Sequence, residues 1–260
     1  MHCRNKIVLL AGATGGIGQA IAQELDRAGA RLILVGRNAD RLQTLQNSLS
    51  GQHCAFAADI NDAGQRDRIF EQCVRDRLDI FVNAAGVMDF RLFDLQDPAA
   101  IEAMVTTNLL APMLLCQKLL PLLKQREEAA IVNIGSIFGS IGHPGFTAYC
   151  ATKFGLRGFT EALQRELHDS SVRVSYLAPR ATRTDLNSAA VTALNEALGN
   201  ATDEPERVAE QLMKVLGDQR RQSYMGWPEN LFVRLNSLFP GIVHSALARK
   251  LHIIRHHAEP

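Results

Sequence analysis

Short runs of consecutive apolar residues alternate along this chain with longer stretches in which apolar positions recur every three or four residues. The runs fall at 6–11, 31–35, 53–57, 80–83, 130–134, 173–177 and 223–225, and several are rich in Val and Ile. They show little of the in–out alternation of a half-exposed strand, so they predict strands buried on both faces. The stretches between them, such as 18–28 and 39–49, have the spacing of helices with one apolar face. Strands and helices in alternation predict a parallel sheet covered on both sides. No internal repeat, low-complexity tract or Pro/Ser-rich linker interrupts the pattern before residue 228. The economical architecture is one doubly wound, Rossmann-like α/β domain over 1–226, followed by an amphipathic helical tail over 227–260.

Composition narrows the function. With 260 residues, 47% of them hydrophobic, the chain can bury one substantial core. A net charge of +1 gives no footprint for nucleic acid. The five cysteines show no CxxC pair and no metal-ligand spacing, which reads as reduced thiols in a cytoplasmic protein without a metal site. Arg4 and Lys6 precede an apolar run that soon breaks into glycines, so that run reads as a core strand and not as a secretion signal. No run reaches the ~20 apolar residues expected of a membrane span.

The first strand runs into Gly12-Ala13-Thr14-Gly15-Gly16-Ile17-Gly18 and then into a helical pattern. Glycines let backbone approach a pyrophosphate, and the helix start offers unpaired N–H groups and the positive dipole end. After the second strand, Arg37 stands where an NAD(H) enzyme would carry an acidic residue for the ribose 2′-hydroxyl. A guanidinium suits a 2′-phosphate, which points to NADP(H) over NAD(H). Asp59, followed by Ile60, ends the third strand and reads as an adenine contact, a helix N-cap, or both. In Asn83-Ala84-Ala85-Gly86 the small residues leave room for a ribose, while Asn83 is expected to tie neighbouring backbone together. Asn108 lies in a helical pattern and needs polar partners if buried.

The stretch 131–158 begins as a strand, ends as a helix, and carries Ser136, Tyr149 and Lys153. Four residues apart on a helix, Tyr149 and Lys153 share one face. A cation beside a phenol, whose ordinary pKa is about 10, favours the phenolate and is expected to lower that value towards the working pH. Ser136 can donate to the oxygen that the tyrosine protonates. On its own such a pair is often a structural aromatic beside a solvated charge.

Taken together these motifs resemble the short-chain dehydrogenase/reductase family in its compact, single-domain form. The matching pieces are Gly12xxxGly16xGly18, Asp59, Asn83-Ala-Ala-Gly86, Asn108, Ser136, Tyr149xxxLys153 and the segment 179–184, spread from residue 6 to about 186. The resemblance implies that Tyr149 is the acid in reduction and the base in oxidation, that Ser136 holds the substrate oxygen, and that Lys153 also bonds the nicotinamide ribose. It implies that Asn108 positions a water leading from Lys153 to solvent. It extends the cofactor contacts to Thr14, Ile17, Ile60, Ala84, Tyr149, Lys153, Pro179, Thr182 and Thr184. Relatives pair through the helices expected here at 99–126 and 147–168, which implies a homodimer or homotetramer. Two positions depart from the family pattern. Ala11 replaces a common threonine, and Arg180 replaces a common glycine: it is strained if that position needs φ > 0, and otherwise it reaches the cofactor or an acidic substrate group or, as the favoured reading, packs ordinarily with a solvated guanidinium.

The expected substrate walls are Val87, Met88, Ile137, Phe138, His143, Phe146 and a mobile lid at 185–200. They are mostly apolar, which fits a small hydrophobic carbonyl or alcohol of ketone, acyl or steroid-like type. His143, beside Pro144-Gly145, reads as a turn residue. The tail predicts two short helices broken at Pro240-Gly241, with Leu231, Leu235 and Leu238 on one face of the first and Val243, Leu247, Leu251 and Ile254 on one face of the second. Its basic residues outnumber Glu229 and Glu259. It is therefore expected either to touch an anionic membrane surface or to cover the cleft or a partner subunit. Two functional classes follow: an NADP(H)-dependent reductase or dehydrogenase, and a non-catalytic nucleotide sensor or scaffold on the same fold.

Overall fold

The computed structural model describes residues 1–258, so Glu259 of the tail lies outside the described residues. Its strands are β1 (Ile7–Ala11), β2 (Arg31–Gly36), β3 (Cys54–Ala57), β4 (Ile80–Asn83), β5 (Ala129–Ile134), β6 (Val172–Ala178) and β7 (Gln222–Tyr224). They form one parallel sheet in the order β3-β2-β1-β4-β5-β6-β7. Each apolar run became a strand because both of its faces are covered. Along β1, Val8 and Leu10 pack into one layer while Leu9 and Ala11 pack into the other.

Helices α1 (Gly16–Arg27) and α2 (Ala39–Ser48) lie on one side, with α3 (Ala63–Asp76) on the other. Helices α4 (Pro98–Val105) and α5 (Ala111–Leu123) are joined by a π turn at Thr106–Leu110. This corrects one expectation: the resulting helix, Pro98–Leu123, has 26 residues and is apolar enough to cross a membrane by length and composition. Its reach comes from the π turn at Thr106–Leu110, which carries the helix on through the polar Thr106-Thr107-Asn108. Leu115, Cys116, Leu119 and Leu123 spend one face of it on the core.

Helix α6 (Thr147–Glu166) follows β5, and α7 (Ala189–Leu198) occupies the expected lid segment. Helix α8 (Pro205–Asp218) packs beside α1. The tail forms α9 (Glu229–Leu238) and α10 (Pro240–Ala258), broken where Pro240 predicts. Helix α10 is not short. Its Ile254 and Ala258 are buried with Val191 and Leu194 of α7, and its Val243 with Ile137 and Ile141. The apolar face expected for α9 is only partly the buried one. Val233 is its buried residue, whereas Leu231 and Leu238 stay exposed.

Candidate active site

The sheet order reverses between β1 and β4, and the loops leaving the carboxyl ends of the strands there outline a crevice. The turn after β1 is shaped for close approach. Gly12 has φ +80°, and a Cβ on it would lie 2.6 Å from the Ala85 backbone nitrogen. A Cβ on Gly18 would lie 2.1 Å from the Gly12 carbonyl oxygen, so α1 sits directly on the turn. Gly15, which sequence spacing passed over, is the N-cap of α1 and has no side chain to satisfy the first-turn N–H groups. Those donors and the positive dipole end are left for a ligand, and they fit a pyrophosphate. Gln19 Nε2 braces the turn by donating to the Thr14 carbonyl at 2.8 Å, and Gly16 lies against the methyl of Thr184. Ile17 contributes to the cavity wall described below.

Arg37 follows β2, is exposed, and makes no ion pair among the described residues. Asp59 is not an N-cap. Asp62 caps α3 by accepting from Gln65 N at 2.8 Å, whereas Asp59 Oδ1 accepts from Asn61 N at 2.9 Å and shapes the preceding turn. The side chain of Ile60 is buried in the core, and its carbonyl accepts from Arg66. Asn83 ties side chain to side chain, contrary to the expectation that it bonds backbone. Its Nδ2 donates to Asn133 Oδ1 at 3.3 Å, Asn133 donates on to Thr160, and Asn83 Oδ1 is left buried without a partner. Beyond it, Ala84 is half-buried and Gly86 backs onto Asn108 and Lys153.

Asn108 is fully buried inside the π turn. Its Oδ1 accepts from Val87 N at 2.8 Å, and its Nδ2 donates to the Val87 carbonyl at 2.8 Å and to Thr152 Oγ1 at 3.1 Å. Both amide protons are therefore spent on structure. Any water held for Lys153 falls to main chain, where a π turn disturbs the regular ladder of helical bonds.

Ser136 caps the single turn after β5, its Oγ accepting from Phe138 N at 3.1 Å. Tyr176 of β6, which carries no motif, fixes this loop: its hydroxyl donates to the Ser136 carbonyl at 3.2 Å and accepts from Ser136 N at 3.3 Å. Tyr149 and Lys153 lie one turn apart on α6, 6% and 4% exposed, with Lys153 Nζ 5.6 Å from the centre of the tyrosine ring. Lys153 Nζ also donates to the Ile134 carbonyl at 3.3 Å. Burial pushes the Tyr149 phenol well above its ordinary range, with the Ser136 hydroxyl pulling the other way. Burial also pushes the Lys153 ammonium down to about 8. The expected lowering of the phenol by its neighbour is thus reversed. Both charged forms lose their water on burial, and that loss sets the direction of each shift.

The phenol is not walled off. It lines an apolar cavity of about 280 Å³ together with Met88, Ile137, Phe138, Phe146 and the residues of α7. Val87, expected in this wall, is instead tied by its backbone to Asn108 and packs beside the Phe90 cluster. His143 is both a turn residue and a wall. Its Nδ1 lies 2.8 Å from the Pro144 carbonyl and its ring stacks on Phe138 at 5.0 Å, while burial holds its pKa below the ordinary value. The roof comes from the tail, through Phe232, Val243, Leu247 and Lys250. No motif marks these positions, and only the amphipathic spacing hinted that one tail face would be covered.

The segment after β6 closes the site. Pro179 accepts from Ile137 N at 3.0 Å, Thr182 Oγ1 donates to the Arg180 carbonyl at 3.0 Å, and Thr182 and Thr184 line the cavity. Arg180 is neither strained nor solvated. Its guanidinium, 13% exposed, pairs with Asp203 at 2.8 Å and with Glu229 at 3.3 Å, fastening the start of α9 to the loop before α8.

Known proteins resemble this chain in sequence and in fold. The short chain dehydrogenase family profile matches residues 6–195. The bovine (Bos taurus) protein "Dehydrogenase/reductase SDR family member 7B" is 30% identical over 96% of this chain and 82% of its own length. The human (Homo sapiens) 3-oxoacyl-[acyl-carrier-protein] reductase is 34% identical over 70% of this chain and 78% of its own length. A short chain dehydrogenase from Burkholderia cenocepacia J2315, crystallised with NADP, superposes with a TM-score of 0.83 at 20% identity over 95% of this chain and 99% of that one. A 3-ketoacyl-(acyl-carrier-protein) reductase from Brucella melitensis, complexed with NADH, superposes with a TM-score of 0.79 at 24% identity over 85% and 96%.

Proposed function

Because the chain belongs to the short-chain dehydrogenase family, oxidoreductases acting between C=O and CH–OH groups, we propose that it is an NADP(H)-dependent reductase or dehydrogenase of an apolar carbonyl/alcohol pair of ketone, acyl or steroid-like type. The observation that carries this reading is a buried phenol with an amine one helical turn away, forming the wall of an apolar cavity beside a glycine cradle.

The residues that would hold the dinucleotide run along the crevice. Gly12, Thr14, Gly16, Ile17 and Gly18 meet the pyrophosphate, Arg37 the 2′-phosphate, Asp59 and Ile60 the adenine end, and Asn83, Ala84 and Gly86 the ribose. Pro179, Thr182 and Thr184 meet the nicotinamide end. A bound NADP(H) supplies or accepts the hydride at the substrate carbon. The chain's own work is on the oxygen. Ser136 donates a hydrogen bond to it, and Tyr149 gives up its proton as negative charge develops there. The Lys153 ammonium then balances the phenolate left behind, and its proton is renewed through water near the Asn108 main chain. In oxidation the same groups act in reverse. The cavity walls exclude water from the reacting centre, which strengthens each of these interactions.

The direct test is NADPH consumption with a panel of apolar ketones of graded size. Turnover that requires a ketone supports the reading, whereas tight NADPH binding with no turnover across the panel favours the sensor. Arg37→Ala is expected to weaken NADPH binding about 10–100-fold, the worth of one charged hydrogen-bonded contact, and NADH binding little. Fluorescence titration with both cofactors measures this, and equal losses would argue against recognition of a 2′-phosphate.

A pH dependence follows from Lys153. Its pKa lies below the ordinary lysine value, so the ammonium is present below about 8 and is lost as pH rises through that value. The phenol is raised and keeps its proton through this window. Reduction should therefore be level below about pH 8 and fall above it, up to tenfold per pH unit for a single group. A pH–rate profile for reduction that keeps rising above this point would contradict the assigned role.

Assembly is part of the same reading. Val105, Leu110 and Met113, from α4 to α5, and Phe154 on α6 are exposed apolar residues on neighbouring helices, which supports pairing of copies through that face.

A further inference from the structure

We propose that the α9–α10 corner is a docking surface for the headgroup and acyl boundary of a lipid bilayer containing anionic lipids, with the mouth of the substrate cavity opening beside it. Residues seven apart on a helix fall within about 20° of one another, so Leu231 and Leu238 share one line along α9, Phe232 adjoins Leu231, and Phe239, just past the helix end, carries the exposed apolar run into the turn. All four are exposed, and the corner projects furthest, with Leu238 at 72%, Phe239 at 57% and Ile242 at 56%. Trp227, at 73%, stands at the other end of the helix. A stable monomeric surface scatters such residues singly; here they adjoin one another on ten residues of helix and the turn that follows.

The charges of the same two helices choose the occupant. Arg234, Arg249, Lys250 and Arg255 are all exposed, and among the described residues none of them pairs with a carboxylate. Glu229, the one acidic residue of α9 and α10, is already held by Arg180. An apolar corner on two helices whose cations are unpaired and whose single carboxylate is already held is complementary to a surface that is apolar within and anionic at its boundary. A second copy of this chain meeting the corner face to face would bring the same four cations against these four. The corner is also continuous with the cavity, because Phe232 is exposed on the outside while lining the inside, and Lys250 stands at the same rim. An apolar substrate dissolved in the bilayer would then enter without crossing water.

The α4–α6 apolar face differs in charge. Its neighbouring cations Lys118 and Arg157 are already paired, with Asp67 and Glu161. It carries no unspent positive rim and is left for a second copy.

The test is sedimentation of the full chain with vesicles of phosphatidylcholine alone or mixed with phosphatidylserine, at low and high salt. The full chain is expected to pellet with the mixed vesicles, several-fold less with the neutral ones, and less again at high salt. The triple variant Leu238→Ser, Phe239→Ser, Ile242→Ser should lose about tenfold or more of this partitioning while binding NADPH as the parent does. Arg234→Glu with Arg249→Glu should remove the preference for phosphatidylserine. Absence of pelleting with either vesicle, equal pelleting of parent and triple variant, or a triple variant that instead drops to a smaller assembly in light scattering would overturn the proposal. The readout is partitioning and not turnover, so it stands or falls separately from the catalytic reading.

Discussion

Tyr149→Phe is expected to lower the rate of carbonyl reduction by about 10²–10⁴-fold, the usual contribution of a positioned acid, while leaving NADPH binding nearly unchanged. The substitution removes one oxygen from a residue that is 6% exposed and whose ring packs edge-on against Phe138 and Phe146, with centroids 6.5 Å away in each case. The ring and its contacts remain, so α6 keeps its place and Lys153 keeps its bond to the Ile134 carbonyl. Only the proton is gone. A positioning role for the hydroxyl would appear in KM, whereas a proton donor appears in kcat. Steady-state kinetics with one apolar ketone, alongside NADPH fluorescence titration, separates the two.

Gly18→Ala is expected to abolish cofactor binding at micromolar NADPH and to lower the melting temperature by several degrees. The added Cβ would stand 2.1 Å from the Gly12 carbonyl oxygen and 2.9 Å from the Ala13 Cα, and both obstacles are backbone. Neither can swing aside as a side chain would, so α1 must lift from the turn. Overpacking of this kind costs about 1–3 kcal/mol. The same displacement removes the first-turn N–H groups from the crevice, and with them the anion site. Calorimetry and cofactor titration on the one variant check both halves. A variant that melts like the parent and binds NADPH equally would show that the turn is looser than its geometry implies.

Much of this was legible in the chain because the relevant signals are local. A near-continuous apolar run such as 130–134 can satisfy a strand only when covered on both sides, and the structure covers it. The spacing of Tyr149 and Lys153 needs nothing beyond a helix to bring them together. Long-range packing was not legible in the same way. The sequence offered Asp59 as a cap, and the structure gives that role to Asp62, whose oxygen meets Gln65 N. Tyr176 reads as an ordinary strand residue until β6 is set beside β5, which places its hydroxyl on the Ser136 backbone. Arg180 reads as a solvated charge until Asp203 and Glu229, both distant in sequence, arrive on either side. The sign of the Tyr149 shift was misread for the same reason. Proximity to Lys153 follows from spacing, but the burial that dominates both groups depends on the whole fold.

The account rests on a substrate oxygen meeting two donors at the floor of the apolar cavity. A crystal structure with NADP(H) and a non-reacting ketone mimic tests it most directly. The mimic's oxygen is predicted to accept hydrogen bonds from both the Tyr149 hydroxyl and Ser136 Oγ, at about 2.6–3.2 Å. A mimic bound elsewhere, or a Tyr149 hydroxyl turned from the cavity once the dinucleotide is in place, would contradict it.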